Sequence, residues 1–207
     1  MLKFKDFINE KQTDRKYELV GQEGKFWRIR ALKDFECVDG TKVKAGDIGG
    51  LITSEDNLSQ EGNCWVAKWA TVSGKAKVFD NAKIGGEGMA FVGGHAKIYG
   101  NAFVDGTSEV KGWAEVYDNA VLSSSVKITG HSKVHGNAQV YGYAIVRDNA
   151  DVTDDSRVGG PALIIRDNAK ITGNSNLFGR YNVDWDIDSE DIDQGDWQRH
   201  DPKLMNK

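Results

Sequence analysis

Four histidines, His95, His131, His135 and His200, have the widest chemistry open to them in this 207-residue chain. A histidine changes charge near neutrality, so it can act as a general base or, when neutral, ligate zinc. His95 and His131 lie 36 residues apart with His135 close behind, which raises two possibilities: the base of an acyl transfer, or part of a three-histidine zinc site. Asp184, Asp186 and Asp188 have the one-three-five spacing of a calcium loop. That reading fails, because the sixth position is Ser189 where the turn needs Gly and the twelfth is Gly195 where a bidentate Glu is needed. No phosphate-cradling loop, dinucleotide fingerprint, Cys-x2-Cys pair or nucleophile elbow is present. The sequence calls for no cofactor and no metal.

What positions these residues is a six-residue phrase repeated from about Asn63 to Val183, as in "GNAQVYGYAIVRDNADV". Its aliphatic slot falls twenty times, from Val66 to Val183, and is always Val, Ile or Leu. Two residues earlier a second slot is Ala, Ser or Cys in seventeen of the twenty phrases, with Val126, Leu163 and Tyr181 as exceptions. Alternate residues of a strand face the same side, so the two slots read as one inward-facing strand. The Gly or Asp, often followed by Asn, supplies a corner, since these residues tolerate positive φ.

Strand, corner, strand at a period of six is the phrasing of a parallel β-solenoid. The pattern resembles the hexapeptide repeats of left-handed β-helices, in which three hexads make one triangular coil; the resemblance, and not the spacing, implies the handedness. Three hexads per coil predicts that corners correlate at eighteen. One corner then reads Asn63, Asn81, Asn101, Asn119, Asn137, Asp155 and Asn174, allowing a two-residue insertion near Gly85 to Gly88 and a one-residue insertion near Gly159 to Pro161. About seven coils follow, roughly 32 Å long at ~4.8 Å per strand.

One face of the triangle stands out. Its core residues are Val78, Ile98, Val116, Val134, Val152 and Ile171, and the outward residues after them are Phe79, Tyr99, Tyr117, His135, Thr153 and Thr172. Lys77, Lys97, Glu115, Lys133, Asp151 and Lys170 precede the core positions, and the adjoining corner adds His95, Trp113 and His131. The other two faces carry only scattered aromatics there, such as Tyr141 and Phe178. Four rings in register, flanked by lysines, predict an exposed apolar binding surface. Its expected use is a protein partner or self-association, with a homotrimer foremost. A carbohydrate or a single nucleic-acid strand could also lie across rings and lysines, but the net charge of −4 speaks against nucleic acid.

Residues 61–183 form the β-helix. A solenoid end exposes strand edges and an apolar cross-section, and residues 17–60 read as its cap, beginning with a hairpin around a Gly-bounded turn. Residues 184–207 form an acidic cap and tail, with Val183, Trp185 and Ile187 closing the far end. Residues 1–16 give a short helix and linker, with Leu2, Phe4, Phe7 and Ile8 partly on one face. The fold class expected is therefore all-β: a single-stranded left-handed parallel β-helix of about seven triangular coils with an N-terminal β cap and a short N-terminal helix. Two cysteines, Cys37 and Cys64, make no disulfide framework, and no secretory signal or membrane-length apolar run is present. A reducing, cytoplasmic setting is expected, with no membrane partner.

Two resemblances extend this. "RALKDF", "VKAGDIGG" and "SEDNLSQEGNCWV", followed by the hexads, resemble the YdcK family of uncharacterised bacterial and phage proteins. That likeness implies a left-handed β-helix with no established activity, sometimes labelled a transferase by fold alone. "MLKFKDFINE" resembles the capsid-targeting leaders of internal head proteins in T-even-like phages, which implies cleavage after Glu10, packaging in the virion interior and action on a component of the host cytoplasm.

The enzymes of this fold class set the competing expectation. Hexapeptide acyltransferases use a histidine at a subunit cleft and build the acyl-CoA pocket from long loops. Insertions of two residues and one leave little here to wall a pocket from water, so an acyl-CoA-dependent transferase with His95, His131 or His135 as base is the alternative reading. The γ-class carbonic anhydrases hold zinc through a His-x4-His pair whose second member follows an inward aliphatic residue. His135, after Val134, fits; its partner position is Gly130, and His131 misses it by one residue, which turns a strand side chain to the opposite side. A non-enzymatic binding or structural solenoid is the leading expectation.

Overall fold

The computed structural model describes residues 14–188. The expected helix over residues 1–10, the cleavage point at Glu10 and the tail beyond residue 188 lie outside the described residues.

Twenty strands of two or three residues, from Trp65–Val66 to Asn182–Val183, stack into three parallel sheets and make a solenoid of about seven turns. Pairing runs at a separation of eighteen in the regular coils, as in Ile98 with Val116 and Val116 with Val134. It widens to twenty where Val72, Val78 and Ile84 pair with Val92, Ile98 and Val104. It is nineteen where Val146, Val152 and Val158 pair with Ile165, Ile171 and Leu177. The two insertions are thus absorbed at corners without slipping the register, which must hold because one residue of slip would turn the whole core outward.

The interior is formed by the two slots. Every residue of the aliphatic slot from Val66 to Val183 is buried, and so is every small-slot residue except Tyr181, which is half-buried against the core. At about 1.5–3 kcal/mol for each large aliphatic chain removed from water, this column is the principal stabilisation of so flat a fold. Among the small-slot serines, Ser132 Oγ donates to Thr129 O at 2.8 Å, whereas Ser108 Oγ and Ser156 Oγ are buried without partners among the described residues.

The corners explain the Gly/Asp-Asn punctuation. Asp80, Asp118, Asp148, Asp154 and Asp167 have φ between 57° and 62°, a region most side chains avoid. Each except Asp167 accepts, on one carboxylate oxygen, the backbone N–H of the matching corner one coil on: Gly100 to Asp80 at 3.1 Å, Gly136 to Asp118 at 3.2 Å, Asp167 to Asp148 at 3.3 Å and Gly173 to Asp154 at 2.9 Å. Beside them the Asn corner forms a ladder. Nδ2 of Asn81, Asn101 and Asn119 donates to Oδ1 of the next Asn, and Asn137 Nδ2 donates to Asp155, all at 2.9–3.1 Å. Other corners take glycine at the same positive φ, as at Gly106, where φ is 68° and a Cβ would lie 2.2 Å from Ser124 O.

The N-terminal end is closed by strands β1 (Tyr17–Glu23), β2 (Phe26–Ala31) and β5 (Ile48–Ile52), with the small hairpin β3 (Phe35–Glu36) and β4 (Lys42–Val43) between β2 and β5. β1 and β2 pair antiparallel, β2 pairs antiparallel with β5, and β5 pairs parallel with Thr71–Val72. One solenoid face therefore continues into a hairpin that covers its edge. Tyr17 is buried there, its hydroxyl donating to Leu58 O at 2.7 Å. At the other end Ile187 is buried and bridges Ile171, donating to Lys170 O at 2.7 Å, while Trp185 packs against the core.

Candidate functional site

The sheet made by Lys77–Val78, Lys97–Ile98, Glu115–Val116, Lys133–Val134, Asp151–Val152 and Lys170–Ile171 carries the aromatic residues. Parallel register places the residue after each core position directly above its counterpart, one strand spacing away, about 4.8 Å. The rings obey that spacing. Phe79 and Tyr99 stack at 4.8 Å and 4°, Tyr99 and Tyr117 at 4.8 Å and 1°, and Tyr117 and His135 at 4.6 Å and 4°. Lys97 Nζ donates to Glu115 Oε1 at 2.9 Å and Tyr99 Oη to Glu115 Oε2 at 3.1 Å, which ties the charge column to the ring column.

The electrostatics follow from this packing. Burial, then the charge and hydrogen bond of Glu115, push the Tyr99 hydroxyl well up. Burial, then the carboxylates of Asp151, Asp118 and Glu115, push Tyr117 up. For Glu115 itself burial pushes upward, but the Lys97 hydrogen bond and charge, with the Tyr99 hydroxyl, outweigh it and hold the carboxyl below its ordinary value.

The adjoining corner forms a second column. His95 stacks on Trp113 at 3.9 Å and 10°, and Trp113 on His131 at 6.3 Å and 2°, with Trp113 54% exposed. All of Phe79, Tyr99, Tyr117, His135, His95, Trp113 and His131 therefore fall into two neighbouring columns. Lys77, Lys97 and Lys133 flank the ladder and are exposed. One expectation needs amending: the four ladder rings are half-buried and not fully exposed, because each covers the faces of its neighbours. Ring edges are what the surface presents, and rings packed at this spacing leave no room for nucleobases to stack between them.

The enzyme readings can be set against the same geometry. His135 Nε2 lies 3.0 Å from Asp151 Oδ1, and His135 Nδ1 lies 3.1 Å from Thr153 Oγ1. An acid–histidine–hydroxyl chain is the arrangement of a nucleophile relay. Here Thr153 is 6% exposed and the chain closes the end of the ladder, holding the His135 ring parallel to Tyr117. His131 stands in the corner column and His135 in the face column, so the two do not converge on one ion. Among the described residues no group of three His, Cys, Asp or Glu could hold a metal. Asp184 Oδ2 accepts from Arg166 at 3.2 Å and Asp186 Oδ1 from Lys170 N at 2.8 Å, so these two carboxylates serve different strands.

A concavity that the spacing did not anticipate lies at the cap junction, an open cleft of about 540 Å³. Its floor is Trp65, Lys83 and Phe103; its walls are the cap loop from Asp39 to Ile48 and the insertion at Gly86 and Glu87. Lys83 is 3% exposed; its Nζ donates to Asp39 Oδ2 at 2.5 Å and Thr41 Oγ1 at 2.7 Å and sits 5.4 Å from the Phe103 ring centre. Burial pushes the Asp39 carboxyl up, but hydrogen bonds from Lys83 and Thr41 outweigh it and hold it low. Asp105 Oδ1 accepts from Gly86 N at 2.7 Å and fixes the insertion. Short insertions were expected to leave little to wall a pocket; here the cap loop supplies most of the wall beside Gly86 and Glu87.

Near this junction two cysteines and a lysine are buried together. Lys16 Nζ donates to Glu61 O and Gly62 O, each at 3.2 Å, and lies 3.1 Å from Cys64 Sγ. Burial lowers the Lys16 ammonium and raises the Cys64 thiol, and it pushes Cys37 up to about 11, so these thiols are structural and unreactive.

Neither the protein-family models nor the curated proteins contain a match to this chain. Among the described residues no helix is long and apolar enough to cross a membrane.

Proposed function

We propose that this chain is a non-enzymatic binding or structural β-solenoid that docks through its ladder face on a protein partner, foremost a further copy of itself in a homotrimer. The observation that carries the reading is the ladder of four rings at 4.6–4.8 Å, which among the described residues stands on one face alone. The equivalent outward positions on another face are Ser73, Gly93, Lys111, Thr129 and Arg147, and that face stacks the same parallel strands. The solenoid therefore does not require the rings. The ladder adds a straight, stiff apolar edge beside a charge column that reads Lys97, Glu115, Lys133, Asp151, offering both signs to a second copy.

In this reading the solenoid is left-handed and of the YdcK type, and the residues from Met1 to Glu10 act as a phage head leader removed during packaging. The protein then reaches the host cytoplasm from the virion interior and acts by binding. The test is the double variant Tyr99→Ala with Tyr117→Ala, compared with the parent by sedimentation and by capture from lysate. Loss of self-association or of a captured partner, with the solenoid's circular dichroism retained, supports the reading. An unchanged oligomeric mass together with an unchanged capture profile overturns it. Mass spectrometry of virions tests the leader: a packaged chain that begins at Lys11 supports it, and absence from particles rejects it.

A further inference from the structure

The cleft between the cap loop and the insertion lies on the sheet of Trp65–Val66, Lys83–Ile84 and Phe103–Val104, a different sheet from the one that carries the ladder. Its volume of about 540 Å³ falls within the ~300–1,000 Å³ usual for small-ligand sites. We propose that it binds a neutral, polyhydroxylated small molecule, a saccharide unit seated between Glu87 and Asp105 on one side and the cap loop on the other.

Charge decides the ligand class. The buried ammonium of Lys83 is already neutralised by Asp39 at 2.5 Å and held by Thr41 at 2.7 Å. What remains around the cleft is Lys42 and Lys68 against Asp47, Glu87 and Asp105. An inorganic anion would meet three carboxylates, and a divalent cation would meet the ammonium groups of Lys42 and Lys68, so neither is matched.

Hydrogen-bonding capacity points the same way. Asp105 uses Oδ1 on Gly86 N and Asp47 uses Oδ2 on Lys44 N, which leaves each a second oxygen with no protein partner among the described residues. Glu87 is exposed and, among the described residues, unpaired. On the donor side Trp65 lines the cleft, and its indole N–H, which still reaches solvent, makes no hydrogen bond among the described residues and is free to donate to a ligand. Separate acceptors and donors around the apolar surface of Phe103 on the floor and Val43 and Ile48 on the wall suit hydroxyl groups, each of which both donates and accepts, on a ring whose C–H face packs on carbon.

The position is also pre-formed. The Gly85 to Gly88 insertion is pinned by Asp105, and the cap loop is pinned by Lys83, so little ordering is needed on binding.

The experiment is saturation-transfer NMR on the full chain with a panel of neutral mono- and disaccharides (hexoses, N-acetylhexosamines and their α- and β-linked dimers), with inorganic phosphate and calcium titrated as charged probes by isothermal calorimetry. At least one neutral sugar should receive transfer. Glu87→Ala and Phe103→Ala, each keeping the parent circular dichroism, should weaken its binding by about tenfold or more. The Tyr99→Ala, Tyr117→Ala double variant should bind it as the parent does, so failure here is distinct from failure of the ladder reading. No transfer to any sugar at millimolar concentration overturns the proposal. So does sugar binding that survives both cleft variants, or capture of phosphate or calcium in preference to every sugar.

Discussion

Removing Tyr99 and Tyr117 singly and together gives a stability cycle whose outcome follows from the ladder's geometry. Each ring stacks on two neighbours, and one contact, Tyr99 on Tyr117 at 4.8 Å and 1°, is shared. At about 0.5–1.5 kcal/mol per aromatic pair beyond area burial, each alanine variant loses two pairs and the double variant three, roughly 1.5–4.5 kcal/mol. The double variant should therefore cost less than the sum of the singles by the value of the shared pair, about 0.5–1.5 kcal/mol. Tyr99→Ala also forfeits the hydroxyl bond to Glu115 at 3.1 Å, and Tyr99→Phe isolates that loss while keeping the ring. Urea unfolding with unchanged slope measures all four proteins. For a chain of this size each 1 kcal/mol should appear as a shift of about 2–4 °C in Tm. Single losses that add to the double within about 0.3–0.5 kcal/mol would show that the rings are aligned without interacting, and the stiff-edge reasoning would fall.

Three further outcomes are expected. Ser108→Ala should stabilise by about 1 kcal/mol, because it removes a buried hydroxyl that has no partner among the described residues. Ser132→Ala should not, since Ser132 Oγ is bonded to Thr129 O at 2.8 Å; equal shifts in chemical denaturation would refute the distinction. Gly106→Ala and Gly24→Ala both force alanine to positive φ, worth about 1–2 kcal/mol, but only Gly106 has a backbone oxygen 2.2 Å from the new Cβ while Gly24 faces open space. Thermal melts should separate the two clearly, with Gly106→Ala the worse. The folded carboxyl of Glu115 lies below its ordinary value of 4.5, so its stabilisation is present above that pH and disappears as pH falls through the depressed folded value. The hydroxyls of Tyr99 and Tyr117 are raised above 10.0, so their stabilisation is intact below that pH and declines as pH climbs towards the folded values. Glu115→Gln should flatten the acid limb of the stability profile and Tyr99→Phe the alkaline limb; unchanged limbs would contradict the assignments.

The linear sequence determined the solenoid, and the reason is periodicity. A residue's inward or outward direction in a strand depends only on parity, and a coil of three hexads converts sequence separation directly into stacking. The core slots, the Asn ladder, both insertions and the columns of Phe79, Tyr99, Tyr117 and His135 could all be read by counting. Even the failure of His131 to meet His135 was visible, because one residue of offset separates a corner from a face. Tertiary structure alone decided the cleft, since its walls join Asp39, Thr41 and Asp47 of a non-repeating cap to Lys83 and Phe103, whose own repeat positions look ordinary. It alone showed that Lys83 is buried, because burial there comes from a segment some forty residues away that obeys no period. It also decided how much of each ladder ring faces water: the count fixes which rings meet, but only their parallel stacking shows that each face is spent on its neighbour.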